Sequence, residues 1–178
     1  MNKKSRRNFI KKSSVLGAGF FIVPRNALGG TGYTPPSDQL NLAAIGSGGK
    51  GSSDIANASV NGRERIGALC DVDFSGSAKR SVKKFPKAKL YSDFREMLDK
   101  EKGRIDAVSV STPDHTHAVA AMAAVQLGKH VYVQKPLTHD IYEARMLTEA
   151  ARKHKVVTQM GNQGASGDGV RKLQDWYN

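Results

Sequence analysis

The hexapeptide GSGGKG at residues 46–51 has the G-x-G-x-x-G spacing of a turn that can hold a pyrophosphate. It follows an apolar segment and opens a helical pattern, so free backbone N–H groups at the helix N-terminus would face the anion. The first glycine permits a tight turn, the second lets the ligand approach the backbone, and the third lets helix and strand pack closely. The predicted cofactor-binding residues of this turn are Gly46, Ser47, Gly48, Gly49 and Gly51.

Asp71 lies near the end of the second apolar segment, 25 residues after Gly46. This is close to the distance at which a carboxylate binds the adenosine ribose of a dinucleotide. Asp71 favours NAD, because a carboxylate repels the 2′-phosphate of NADP. Ser75, Lys79 and Arg80 follow just downstream and keep NADP open as an alternative. A glycine-rich turn in an α/β protein that binds no nucleotide is the other interpretation.

The elements that must position these residues alternate along the chain from residue 40 onward. The predicted strands are 40–46, 65–73, 88–93, 105–112, 129–136 and 156–162, and the predicted helices are 51–61, 77–85, 94–100, 115–128, 141–155 and 168–178. Such alternation predicts an α/β fold with a doubly wound parallel sheet and right-handed crossovers. Asp93 and Gly128 are predicted helix caps, at the N- and C-terminal ends respectively. Ligands of such sheets bind at the carboxyl ends of the strands.

Three segments, GSGGKG…CDVD, STPDHTHA and GKHVYVQKP, together resemble the glucose–fructose oxidoreductase/inositol dehydrogenase (Gfo/Idh/MocA) family from about residue 40 to 178. The resemblance implies a Rossmann domain that binds NAD or NADP, an oxidoreductase activity on a sugar or polyol, and a homo-oligomeric full-length form. It also implies a second, substrate-binding domain after the sixth strand. The cofactor contacts that it implies beyond the glycine turn and Asp71 are Thr112, Pro113, Asp114, His117, Gln134, Lys135 and Asn162.

Gln134-Lys135-Pro136 stands where the family has a Glu-Lys-Pro motif. The resemblance implies that Lys135 lies by the nicotinamide ribose and the reacting hydroxyl, as the catalytic residue, and that the peptide before Pro136 is often cis. Gln134 departs from the family's glutamate. A carboxamide carries no charge, so we expect it to hold the Lys135 ammonium less strongly than a carboxylate would.

The histidines and the single cysteine carry weaker signals. His117 opens the fourth predicted helix, and its position fits a cofactor contact and a surface location equally well. His115 and His117 have no carboxylate cluster beyond Asp114 beside them, so no metal site is predicted. Cys70 lies in an apolar segment, where a lone cysteine usually acts as a small buried hydrophobe.

The segment SRRNFIKKSSVLGAGFFIV at residues 5–23 resembles a twin-arginine export signal. Its nine-residue apolar run, 15–23, would span only ~14 Å as a helix against ~30 Å of hydrocarbon, so no stable membrane anchor is expected. Residues 1–30 contain seven basic and no acidic residues; without them, 21 basic and 16 acidic residues remain, and the net charge falls from +12 to +5. This argues against a nucleic-acid partner. A basic or amphipathic tail is the alternative to an export signal.

The sequence therefore predicts four regions: a signal peptide (1–30), a linker (31–39), a dinucleotide-binding Rossmann domain (40–162), and the start of a connection to an absent substrate domain (163–178). The expected protein is an NAD(P)-dependent sugar or polyol oxidoreductase, exported by the twin-arginine machinery to the periplasm or beyond. An NAD-dependent glycosidase of the same fold is the alternative. If the 178 residues are complete, a chain that binds dinucleotide without turnover is favoured.

Overall fold

The computed structural model of the chain describes residues 34–178. The predicted signal peptide and the first residues of the predicted linker lie outside the described residues. Pro36–Asp38 form one turn of 3-10 helix, and the unit that begins at Gln39 runs to Asn178. Within residues 34–178, no helix combines the length and the apolar character needed to cross a membrane.

The strands of the described chain form one parallel sheet in the order β3-β2-β1-β4-β5-β6. They are β1 (Asn41–Ile45), β2 (Arg65–Cys70), β3 (Lys89–Tyr91), β4 (Ala107–Val110), β5 (His130–Gln134) and β6 (Thr158–Gly161). The chain order reverses between β1 and β4, which creates the crevice where doubly wound sheets bind ligands. The predicted doubly wound fold is confirmed.

Each predicted helix is present, with bounds that differ by a few residues. The helices are α1 (Gly49–Ala58), α2 (Lys79–Lys84), α3 (Phe94–Glu101), α4 (His117–Gln126), α5 (Ile141–His154), α6 (Gln163–Ser166) and α7 (Asp168–Tyr177). The sequence did not predict α6, nor the 3-10 turns Val60–Gly62 and Asp114–Thr116. The predicted caps are close to correct: Asp93 accepts a hydrogen bond from the Arg95 backbone nitrogen at 2.8 Å, and Gly128, with φ of +71°, comes one residue after the C-cap of α4.

Two boundary errors have local physical causes. The helix α1 begins at Gly49, two residues before the predicted start, because Gly48 is the last extended residue of the turn. The strand β2 ends at Cys70, three residues early, because the Asp73 side chain accepts hydrogen bonds from the backbone nitrogens of Gly76 and Ser77 and closes a turn. Asp71 therefore follows its strand directly, facing the crevice.

Apolar side chains cover both faces of the sheet. The larger cluster lies between the sheet and α3, α4 and α5, and includes Ile45, Val110 and Leu147. The smaller cluster, on the other face, packs Ile55 of α1 against Ala44 and Leu69. These two layers fix the helix N-termini and the strand ends at one edge of the sheet, where the site is built.

Candidate functional site

The glycine turn between β1 and α1 has no space for a side chain at Gly46, Gly48 or Gly51. Gly46 has φ of +77°, and a Cβ there would lie 2.6 Å from the carbonyl oxygen of Ser111. A Cβ on Gly51 would collide with the carbonyl oxygen of Gly46. The turn therefore brings the N-terminus of α1, a ten-residue helix, against the end of β4 with its first N–H groups free for an anion.

Asp71 is held in place by the turn itself. Its Oδ2 accepts a hydrogen bond from the Gly48 backbone nitrogen at 2.8 Å, and its Oδ1 accepts one from the Asp73 backbone nitrogen at 3.0 Å. An ionised carboxylate offers about four lone-pair directions, so each oxygen keeps one for a further donor. A ribose diol presents two such donors side by side. Asp71 is half-buried and fits the predicted ribose contact.

The neighbouring carboxylate of Asp73 is used differently. It accepts hydrogen bonds from the backbone nitrogens of Ser77 and Gly76 and from the Ser75 hydroxyl, at 2.8–3.2 Å. These donors, chiefly the Ser77 and Gly76 amides, lower the pKa of Asp73. The Asp73 carboxylate therefore accepts hydrogen bonds within its own turn, and Asp71 is the carboxylate that remains available to a ligand.

A cleft of about 750 Å³ opens above the turn. Its volume is in the range of pockets that bind cofactors. Six of the predicted cofactor residues line it: Gly46, Gly48, Gly49, Asp71, Thr112 and Pro113. The cleft is also lined by Ser92, Asp93, Phe94 and Arg95, at the start of α3, which the sequence did not predict.

Three of the other predicted residues lie outside the wall of this cleft. Ser47 is fully buried, and its carbonyl oxygen accepts a hydrogen bond from the Ser81 hydroxyl at 2.6 Å, so it fixes the turn on α2. Asp114 is exposed in the 3-10 turn after Pro113. Asn162 precedes α6 and lines a separate pocket with Tyr132 and Gly161.

His117 does not lie on the surface, which removes one of its two predicted locations. Its side chain is buried with 1% exposure. Its Nδ1 lies 2.6 Å from the carbonyl oxygen of Pro136, and its Nε2 lies 2.7 Å from that of Thr112. The ring therefore ties the loop after β4 to the loop after β5. Because both nitrogens face protein carbonyls, direct contact with a cofactor stays an untested prediction.

The turn at the end of β5 presents the Lys135 ammonium. Gln134 is buried, Lys135 is exposed, and the peptide between Lys135 and Pro136 is cis, as the resemblance implies. The Gln134 side chain points inward to Asp54 of α1, with its Nε2 2.9 Å from Asp54 Oδ2. Sequence analysis missed Asp54, because an aspartate in the middle of an amphipathic helix is typical of the solvent face. The glutamine in place of the family's glutamate was the available signal.

Cys70 behaves as predicted. It lies in the core cluster next to the site. Burial, with a smaller contribution from the charges of Asp71 and Asp93, raises the pKa of its thiol to about 12. A thiol with so high a pKa is not a nucleophile at neutral pH.

The family profile described as an oxidoreductase family with an NAD-binding Rossmann fold, Gfo/Idh/MocA, matches residues 40–162. The chain belongs to the Gfo/Idh/MocA family. Members of this family are NAD(P)-dependent oxidoreductases, and the glycine turn, Asp71 and the cleft are the parts of this chain that fit the NAD expected of the fold. The predicted family and the predicted cofactor class are confirmed.

Individual Gfo/Idh/MocA relatives differ in activity. The chain is 31% identical to a glycosyl hydrolase family 109 protein of Solibacter usitatus, over 86% of this chain and 38% of that protein. It is also 31% identical to the scyllo-inositol 2-dehydrogenase (NAD(+)) of Bacillus subtilis, over 69% of this chain and 35% of that enzyme.

A solved structure shows the same fold. The WlbA dehydrogenase of Thermus thermophilus, in complex with NAD and α-ketoglutarate, superimposes with a TM-score of 0.69 at 19% identity, over 78% of this chain and 46% of that one. The chain thus spans less than half the length of these three relatives.

Proposed function

We propose that the whole protein is an NAD-dependent oxidoreductase that acts on a hydroxyl-bearing carbon of a sugar or polyol. The observation that carries the proposal is the position of Lys135. It is an exposed ammonium at the carboxyl end of β5, at the same sheet edge as the cleft beside Asp71. A cofactor whose ribose binds at Asp71 and whose pyrophosphate binds at α1 would extend along this edge toward β4 and β5.

Some residues of the chain would bind the cofactor, and Lys135 would polarise the substrate hydroxyl. NAD, when bound, supplies the hydride acceptor. Asp71 would bind the adenosine ribose, and the N-terminus of α1 would stabilise the pyrophosphate. The Lys135 ammonium would donate a hydrogen bond to the substrate oxygen and stabilise the negative charge that develops as the hydroxyl proton passes to a general base of the substrate domain that the family resemblance implies. His117 would keep the two loops that frame this oxygen at a fixed spacing.

The experiment is NAD reduction by the protein with a panel of sugars and polyols, followed at 340 nm. We expect Lys135→Met to lower kcat by about 100-fold or more, in the range found for acid–base groups, with NAD affinity changed less than tenfold. Lys153→Met, at an exposed lysine of α5, is the matched control. Reduction at an unchanged rate in Lys135→Met would contradict the role of Lys135, and no reduction with any polyhydroxylated compound would contradict the substrate class.

A second candidate function is an NAD-dependent glycosidase, favoured by the similarity to the family 109 hydrolase. Such an enzyme oxidises a sugar carbon, eliminates the glycosidic substituent and returns the hydride, so NAD is not consumed. Release of the aglycone from an aryl glycoside, dependent on added NAD but without net formation of NADH, would support this candidate. Net NADH formation with free sugars would support the dehydrogenase.

We further propose that the protein is exported by the twin-arginine machinery to the periplasm or beyond. The pair Arg6-Arg7, followed by Phe9 and a short apolar run, supports this. This route carries folded proteins, so NAD would be bound before export. The test is cell fractionation of the protein and of Arg6→Lys/Arg7→Lys; equal amounts outside the cytoplasm for both would contradict the route. A homo-oligomer, also expected of the whole protein, is tested by light scattering.

A further inference from the structure

The buried carboxylate of Asp54 is shared by three separate parts of the fold. Its side chain is 5% exposed and forms an ion pair with Lys50 one helical turn earlier in α1. Its Oδ2 accepts hydrogen bonds at 2.9 Å from the Ser111 hydroxyl, 57 residues away, and from Gln134 Nε2, 80 residues away. The glycine turn, the end of β4 and the end of β5 thus meet at one carboxylate.

The Gln134 side chain connects this carboxylate to the catalytic lysine of the proposed function. While Nε2 donates to Asp54, Oε1 accepts a hydrogen bond from the Lys135 backbone nitrogen at 3.2 Å. The carboxamide thus has its donor end toward an acceptor and its acceptor end toward a donor. Glutamate at this position would keep the second bond and turn the first into a contact between two carboxylates.

We propose that Asp54 is a positioning residue for the Gln134-Lys135-Pro136 segment and that it requires an amide, not a carboxylate, at position 134. The departure from the family's glutamate is then explained by Asp54 and not by a change at Lys135. The consequence for Lys135 rests on the proposed function, whereas the pairing itself can be measured without turnover.

A carboxylate at position 134, added beside Asp54, would have no further positive charge to balance it among the described residues. The cation facing Asp54 is Lys50, whose side chain is half-exposed at 51% and already paired with the Asp54 charge. The other groups that face the pair are neutral: the Ser111 hydroxyl, the Tyr132 hydroxyl 3.4 Å from Gln134 Nε2, and the Gln163 amide, which contacts Gln134 Nε2 directly. Two carboxylates at this distance in a buried site share one proton instead of ionising together.

The first test is the pH dependence of thermal unfolding of Gln134→Glu. The folded variant would retain a shared proton that the unfolded chain loses near pH 4.5, so the folded state binds more protons above that pH. Stability then falls as pH rises. We expect the Tm of Gln134→Glu to drop by at least about 5 °C between pH 5 and pH 8 relative to the unchanged protein. Gln126→Glu, which adds the same charge at an exposed site of α4, is the control and should follow the unchanged protein.

The second test reverses the polarity of the pair. In Asp54→Asn/Gln134→Glu, the new amide on α1 can donate to the new carboxylate on β5, so the pH dependence should disappear. Hydrogen exchange of residues 134–139 should be faster in Gln134→Glu and return toward the original rate in the double variant. If Gln134→Glu fails to fold while the double variant folds, the proposal is also supported. A general defect caused by glutamate at position 134 would not be corrected by a second substitution in α1.

Two outcomes would overturn the proposal: a Tm profile of Gln134→Glu that parallels the unchanged protein, or a double variant no closer to it than the single one. The NAD-reduction assay on the same proteins separates the two proposals. If the double variant regains the Tm profile and the exchange rates of the unchanged protein but none of the proteins reduces NAD, the result counts against the proposed function and for the Asp54 pairing. If NAD is reduced but Gln134→Glu shows no pH-dependent loss of stability, the result counts against the Asp54 pairing and for the proposed function.

Discussion

Replacement of Asp71 by asparagine removes one charge from the cleft and one of the two acceptor oxygens that Asp71 offers to its turn. Asparagine keeps an oxygen that can accept the 2.8 Å hydrogen bond from the Gly48 backbone nitrogen, but its NH2 group cannot accept the 3.0 Å bond from the Asp73 backbone nitrogen. The carboxylate bonds to the ribose diol are weakened. Net hydrogen bonds to charged groups contribute ~1.5–3 kcal/mol, so we expect NAD to bind about 10- to 100-fold more weakly.

The same change should improve NADP relative to NAD. Two anions ~4 Å apart repel by ~4 kcal/mol at an effective dielectric constant of ~20, and solvent around the half-buried Asp71 reduces this to ~1–2 kcal/mol. The loss of hydrogen bonds to NAD and the relief of the repulsion of NADP both shift the preference from NAD toward NADP. The ratio of NADP to NAD dissociation constants should therefore fall by about 100-fold or more.

The assay is isothermal titration of each nucleotide into the unchanged protein, Asp71→Asn and Asp73→Asn. Asp73 is a matched control, because its carboxylate is two residues away and accepts hydrogen bonds from its own turn. Its removal should lower the stability of the loop and leave the preference between the nucleotides unchanged. An unaltered preference in Asp71→Asn, or an equal loss of preference in Asp73→Asn, would refute the ribose assignment.

Three further predictions concern buried groups. Cys70, with a thiol pKa raised to about 12 by burial, should not react with a thiol reagent at pH 8 until the protein is denatured, when one thiol should react. Glu101 accepts hydrogen bonds from Lys89 and Tyr91, which lower its pKa; its contribution is therefore present above about pH 4.5 and lost as pH falls below it. Glu101→Gln should destabilise the fold by about 2 kcal/mol at pH 7 and by less at pH 3 in urea unfolding, and equal losses would contradict this. His117→Ala should lower Tm and weaken NAD binding through the loops it connects; a change in neither measurement would show that its two contacts contribute nothing.

The sequence by itself determined the order of strands and helices along the chain. It also determined the chemistry of the part of the site that is formed by the glycine turn and Asp71. Alternating apolar segments require a parallel sheet, and such a sheet places the glycine turn and Asp71 at one edge. These conclusions depend on residues close in sequence or on the periodicity of single elements. Helix and strand ends were less accurate, because side-chain turns such as that of Asp73 compete with the strand for the same backbone groups.

The tertiary structure decided what the polar residues on the helices do. In sequence, Asp54 is typical of the solvent face of an amphipathic helix, and only its contact with Gln134, 80 residues later, shows a buried partner. His117 was equally compatible with the surface until the carbonyl oxygens of Thr112 and Pro136 were brought to its two nitrogens. Contacts over such separations depend on which strands become neighbours and on how the sheet twists, and the local pattern of either segment contains neither.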